Sequence, residues 1–401
     1  MIKRLISMAA ALAVCIMICG CEDLNKKGID NSEIYGSETA FEGKPHDTAV
    51  MFVNVGKADC AIVEIDGAAW LIDTGTKESF VNTCAALDSL GIGSLDGVII
   101  THGHGDHVGG LEPLSQRYQI GRVVCPELLL DSKTVAEAAG AHGIPLERAK
   151  AGSSIQIVDG VAFEVLAPEK LNGQDDNDNS LVTRLNVNGR TFLFTGDMQT
   201  AEDGLLLASG ADVKCDVLKV PNHGNRDATS SEFASAASPL ISVISTDTRV
   251  DTNSANKRVI ARLADSEIYI TQRYDLGILV TVSPKGEIGL SFPERAETAS
   301  GVEINMASKA EQSFSVINTT ENSIDIGGWF VYSDKGYEVY SFPNGTSLLP
   351  GQELIVACEQ SPAAEGADLI WHRRKVWSDK KADNAVLCDS RGGEVSRRAS
   401  E

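Results

Sequence analysis

No two cysteines of this 401-residue chain form a Cys-x-x-Cys pair, which gives no support to a thiolate zinc knuckle or a dithiol redox motif. Positive charge is also short: 35 lysines and arginines face 56 aspartates and glutamates, a formal net charge of −21. A field of that sign repels nucleic acid and anionic membrane surfaces at long range, so a polyanionic substrate needs a local cationic site. Beyond the first twenty residues, no apolar run is long enough to span a bilayer. What remains is an ordinary globular balance, 43% hydrophobic and 23% charged, at a length that suggests about two domains.

The one long apolar run is at the start. Lys3 and Arg4 precede a nearly uncharged stretch from Leu5 to Ile18, followed by Cys19-Gly20-Cys21. That layout is a secretory signal, expected over residues 1–20. Its ending resembles a bacterial lipobox, which implies that Cys21 is the lipidated first residue of an extracytoplasmic, membrane-anchored protein. The alternative is a plain cleaved signal and secretion. Residues 21–47 are polar and aperiodic and read as a flexible tether, with order beginning near Thr48. Six cysteines then remain, and their spacing selects no pairing. Cys358 and Cys388 fall in one expected small domain and are the pair to check.

Strands and helices mix throughout 48–292. The Asn188-Gly189 dipeptide between two apolar runs marks a hairpin, and Gly91 a helix stop after the Phe80, Cys84, Leu87 stripe. Thr229-x-x-Glu232 reads as a capping box. This pattern suits an α/β core of two sheets with outer helices. A charged linker follows at 293–300. Over 301–396 helix signals vanish, and short strands alternate with turns such as Gly327-Gly328 and Asn344-Gly345, an all-β sandwich.

The decisive segment is Thr101-His102-Gly103-His104-Gly105-Asp106-His107, directly after an apolar strand. Three of the seven histidines fall in it, and bunched polar groups of this kind are costly to bury without a partner such as a metal. Alternate side chains of an extended loop point the same way, so His102 and His104 can face one ion and Asp106 and His107 a neighbouring one.

His-x-His-x-Asp-His after a strand resembles the signature of the metallo-β-lactamase superfamily. Asn54-Val55-Gly56-Lys57-Ala58-Asp59, Leu71-Ile72-Asp73-Thr74-Gly75, Asn179-Ser180-Leu181-Val182, Phe194-Thr195-Gly196-Asp197 and Leu218-Lys219-Val220-Pro221-Asn222-His223-Gly224 are similar, in the same order, to blocks of its ComEC-like branch. The resemblance implies an αββα sandwich with two divalent metal ions, zinc for preference with manganese or iron as alternatives. It assigns His102 and His104 to the first ion, Asp106, His107 and His223 to the second, and Asp197 to both. Asp73, Asp59 and Asn179 are implied as supporting residues, and Asp106 as an aid to proton handling. Two features depart from the full pattern. The histidine usual between the first cluster and the bridging aspartate is missing, His142 being read as surface or capping, and Asn222 stands where a second histidine is common.

The branch implies phosphodiester rather than β-lactam chemistry, with an extracellular nuclease as the first reading. A cell-envelope phosphoesterase acting on teichoic-acid or phosphocholine groups, and a non-catalytic envelope-binding scaffold, are the alternatives. Gly327-Gly328-Trp329, Phe342-Pro343-Asn344-Gly345-Thr346, Leu349-Pro350-Gly351 and Val376-Trp377-Ser378 resemble the lamin-tail domain, an immunoglobulin-like sandwich, which implies a binding or targeting module. Arg373, Arg374 and Lys375 lie between Trp371 and Trp377, either a phosphate-binding cluster or an ordinary solvated edge.

Overall fold

The computed structural model describes residues 34–35, 44–378 and 380–401. The signal segment, most of the tether and Cys21 lie outside the described residues.

Among the described residues, two large sheets build the first domain. One has nine strands in the order Ile34–Tyr35, Ile288–Ser291, Gly277–Val282, Thr48–Val53, Ala61–Ile65, Ala68–Ile72, Gly97–Ile99, Val123–Pro126 and Leu146–Ala149. The other has seven, running from Ser154–Val158 through Arg190–Phe194, Val217–Lys219 and Ile241–Ile244 to Glu267–Ile270. Alternation along the strands explains the layering. Val50 and Phe52 of the first sheet meet Phe192 and Phe194 of the second in a shared inner core, whereas Met51 and Val53 face outward. The outer face of the first sheet is covered by helices Phe80–Ser89, Leu111–Arg117 and Ser132–Gly140. Helices Thr200–Ala208, Ser231–Ala237 and Lys257–Arg262 cover the outer face of the second. The result is the αββα sandwich, followed by an all-β sandwich whose two four-stranded sheets enclose Phe314, Val331, Trp371 and Trp377.

Several local expectations meet the structure directly. Asn188 and Gly189 take φ of 49° and 75° in the hairpin joining Val182–Val187 to Arg190–Phe194, and Gly91, at φ 70°, stops the helix that ends at Ser89. The capping residue before Ser231–Ala237 is Ser230, whose hydroxyl accepts from the Phe233 amide, not Thr229, which takes φ 58°. Ile34–Tyr35 adds an edge strand to the first sheet, so part of the expected tether is ordered.

The second domain is not loosely tethered. Along Phe330–Ser333, Val331 points into the sandwich core while Phe330 and Tyr332 join the core of the first domain, packing edge-on or tilted against Phe80. Arg117 crosses the boundary, donating to the Gly328 and Ser390 carbonyls at 2.9 and 2.7 Å with its guanidinium 4.2 Å from the centre of the Phe330 ring. The expected linker is itself pinned, Arg295 reaching Asp275 and Asn82. Cys358 and Cys388 face different cores and are separate thiols, like the other four described cysteines. Burial pushes Cys358 up to about 11, so it packs as a small hydrophobe.

Candidate metal centre

The central strands of both sheets run parallel, and their carboxyl ends deliver the site residues to one edge, where ligands of such sheets bind. Asp73 follows Ala68–Ile72, the histidine segment follows Gly97–Ile99, Asp197 follows Arg190–Phe194, and His223 follows Val217–Lys219. Asp73, Asn222 and His223 all have positive φ, at 60°, 44° and 52°. Non-glycine residues stay in that region only where surrounding contacts hold them, as at functional sites. Here the Asn222 amide donates to the Gly196 carbonyl at 3.1 Å, and His223 Nδ1 bonds the Ser245 carbonyl at 2.8 Å. Gly196, at φ 50°, leaves no room for a side chain, because a Cβ there would lie 2.8 Å from Ser180.

Four of the expected ligands converge. His107 Nε2 lies 3.3 Å from Asp197 Oδ2 and 4.0 Å from Asp106 Oδ1. His223 Nε2 lies 3.2 Å from Asp197 Oδ2 and 3.4 Å from Asp106 Oδ2. Donors about 2.0–2.1 Å from one ion at tetrahedral angles stand ~3.4 Å apart, so these spacings suit a single divalent cation. His107 Nε2, His223 Nε2 and Asp197 Oδ1 are buried with no hydrogen-bond partner. Unpaired buried donors and acceptors of this number are costly, and an ion is the economical partner for them. The residues present therefore fit a metal.

Charge inside the cluster points the same way. Burial opposes a charge on His107, but the Asp197 and Asp73 carboxylates outweigh it and hold the imidazole well above its ordinary range. Burial opposes a charge on His223 too, and Asp197 and Asp59 raise it to about 9. Burial likewise works against the Asp197 anion, yet His223 and His107 keep it well below the usual carboxylate range. A divalent cation held by these groups would compete with protons for the two imidazoles, so its binding would release protons.

The other expected residues fall around this centre. His102, buried, places Nε2 3.0 Å from Nδ1 of the exposed His104. Burial, with His107 beside it, holds His102 well below the usual imidazole range. Asp73 orients His107 through a 2.8 Å contact to Nδ1 and accepts from the Thr101 amide and hydroxyl, both at 2.8 Å. Asp59 lies behind His223 at 3.6 Å and pairs with Lys219. Asn179 does not reach the cluster. Its amide braces its own loop through Asn172, Asp175 and Asp176. His142 lines a groove against the second domain, away from the cluster's ligands.

Two cations escaped the assignment of roles. Lys219 is 4% exposed and donates to the Gly196 carbonyl at 3.1 Å. Lys57, half-exposed, holds Asp106 Oδ2 at 2.7 Å at the edge of the site. A lysine inside the apolar run Val217–Val220 is itself a signal, since burying an ammonium requires an acidic partner. The aromatic part of the 371–377 cluster is absent from the surface. Trp371 and Trp377 are core residues, while His372, Arg374, Lys375, Lys380 and Lys381 are exposed.

This is the fold and donor set of a metallo-hydrolase. Residues 53–248 match the metallo-beta-lactamase superfamily and residues 295–400 the lamin tail domain. The first domain is thus a metallo-β-lactamase superfamily domain and the second a lamin tail domain. ComE operon protein 3 of Bacillus subtilis is 26% identical over 280 residues, 68% of this chain and 34% of that protein. Competence protein ComA of Neisseria gonorrhoeae is 28% identical over 203 residues, covering 50% of this chain and 27% of its own length. The chain thus spans about a third or less of these relatives. Among solved structures, the metallo-β-lactamase fold protein YhfI of Bacillus subtilis aligns with a TM-score of 0.41 at 13% identity, over 59% of this chain and 99% of that one.

Proposed function

We propose that the chain is an extracytoplasmic, lipid-anchored, metal-dependent phosphodiesterase whose substrate is a nucleic acid. The observation that carries the catalytic part is the convergence of Asp106, His107, Asp197 and His223, with three buried donor atoms otherwise unpartnered. A divalent ion bound there supplies a Lewis acid for a phosphoryl oxygen and lowers the pKa of water. Asp73 fixes the His107 ring so that Nε2 faces the centre. Lys219 and Asp59 form a charge pair beneath it that holds the Asp197 strand end in place. Asp106 is the one carboxylate of the four ligands with appreciable solvent exposure, which suits it to pass a proton outward. Lys57 beside it places a positive charge at the entrance of an otherwise acidic protein, where an anionic diester must arrive. The ComEC-like character and the competence proteins among the relatives support the nucleic-acid reading. The lipid anchor rests on the Cys21 segment of the sequence.

The test is hydrolysis by metal-loaded protein of linear DNA, bis(p-nitrophenyl) phosphate and a chromogenic cephalosporin, beside Asp197→Ala. Cleavage of DNA and the ester, lost in the variant, is the expected result. Cleavage of the small ester alone moves the reading to an envelope phosphoesterase. Cephalosporin turnover, or no cleavage of any substrate, overturns the proposal.

A further inference from the structure

Resting on the metal-centre reading, we infer that the two ion positions of this chain are unequal: one is held by four protein donors, and the other, at His102 and His104, is a labile site filled only at high free metal. Asp106, His107, Asp197 and His223 place one donor atom each within 4.8 Å of one another. Among the described residues, no three-donor group of that kind includes His102 or His104. Those two imidazoles instead face each other at 3.0 Å, and His104 lies at the solvent edge.

Asp131, the carboxylate that senses His104, is used on the next helix, accepting from the Thr134 amide and hydroxyl. Three further observations explain why no third donor arrives. The loop in the interval of the missing histidine carries three carboxylates, and all three are engaged. Asp176 accepts from the Leu130 and Asp131 amides at 2.7 and 2.8 Å, and from Asn179 at 2.9 Å. Asp178 accepts from the Gln199 amide and Asn172, and Asp175 from the Asn177 amide and the Gln199 side chain. Turning any of them inward breaks bonds to backbone amides. Asp197 is the remaining candidate to serve both positions, but its Oδ2 already stands among the donors of the first centre, 3.3 Å from His107 Nε2 and 3.2 Å from His223 Nε2. Its Oδ1 lies 3.9 Å from the buried Lys219 ammonium, a fixed positive charge that competes with a second cation for that oxygen. The second position thus has two imidazoles of its own, one of them exposed, and a share in a carboxylate already claimed from two sides.

Losing even an outer partner of a ligand lowers metal affinity by roughly 10–100-fold, so a position lacking a whole donor is expected to be weaker by at least ~100-fold. The experiment is a stepwise Co²⁺ titration of metal-free full-length protein, followed by visible absorption and isothermal titration, with metal content measured after dialysis against a weak chelator. One ion per chain surviving dialysis, kept in His104→Ala and lost or strongly weakened in His223→Ala and in the half-exposed Asp106→Asn, is the expected result. Circular dichroism establishes that each variant is folded. A second ion binding only in excess metal, and absent from His104→Ala, completes the pattern. Two ions retained with equal affinity, or loss of the tight ion in His104→Ala, overturns the inference while leaving the metal centre intact. No ion bound even in excess Co²⁺ overturns the metal centre itself.

Discussion

Asp73→Asn tests how the protein tunes its own ligand. The Asp73 carboxylate accepts from the Thr101 amide on Oδ1 and meets both the Thr101 hydroxyl and His107 Nδ1 on Oδ2, all at 2.8 Å and all buried. Because a carboxylate only accepts, His107 keeps its proton on Nδ1 and gives up the one on Nε2 when an ion binds. In the asparagine variant, the Thr101 amide keeps the carbonyl oxygen on its side, which turns the amide NH₂ toward His107. A donor then faces Nδ1, so the ring keeps its proton on Nε2, and the metal-bound form loses the Nδ1 bond that stabilises it. The lost charge-assisted bond corresponds to about 1.5–3 kcal/mol, or roughly 10- to 150-fold in affinity at 1.4 kcal/mol per decade. Competition with a chromophoric chelator at neutral pH measures it, and the melting temperature of the metal-free protein shows whether the fold has been disturbed. Metal affinity within twofold of the parent, in a folded variant, refutes the argument that Asp73 sets the His107 tautomer.

Arg117→Met removes the guanidinium that joins the Gly328 and Ser390 carbonyls to the first domain. Two charge-assisted bonds, offset by the cost of keeping the charge half-buried, suggest a loss of about 2–4 kcal/mol in urea denaturation. Both domains should melt together, since Phe330 and Tyr332 belong to the core that contains Phe80. Independent melting of the two domains in the parent contradicts this. Glu202, 2% exposed, is raised to about 7 by burial and by the Asp178 and Glu169 charges. A carboxyl raised in the folded state stabilises it below the ordinary value of 4.5 and loses that contribution as pH climbs to about 7. Glu202→Gln should therefore gain melting temperature over the parent at pH 8 relative to pH 5, and an equal difference at both pH values excludes Glu202 as the source.

The histidine segment was legible because its donors are neighbours in sequence and follow a strand of three buried residues, Gly97–Ile99. Asp197 and His223 were legible only as parts of ordered motifs. Each is an unremarkable strand-end or loop residue until parallel pairing brings the ends of Arg190–Phe194 and Val217–Lys219 together. Asn179 shares its motif but serves its own loop, which local sequence does not distinguish from a supporting contact to a metal. The domain interface left one readable trace. Phe330–Ser333 is apolar on both faces, and a strand buried on both faces needs cover on both sides. The turn-rich pattern around it favoured an independent module, since sequence periodicity reports burial without naming what does the burying. Trp371 and Trp377 illustrate the same limit, because the cations beside them are exposed while the rings are core.

The most direct test is anomalous diffraction at the zinc edge from crystals of the zinc-loaded protein. The strongest peak should lie among His107 Nε2, His223 Nε2, Asp106 and Asp197, the four groups whose donor atoms already stand within 4.8 Å of one another. A strongest peak at any other place in the chain, or none at full zinc occupancy of the solution, contradicts the assignment of this cluster as the centre of a metallo-hydrolase.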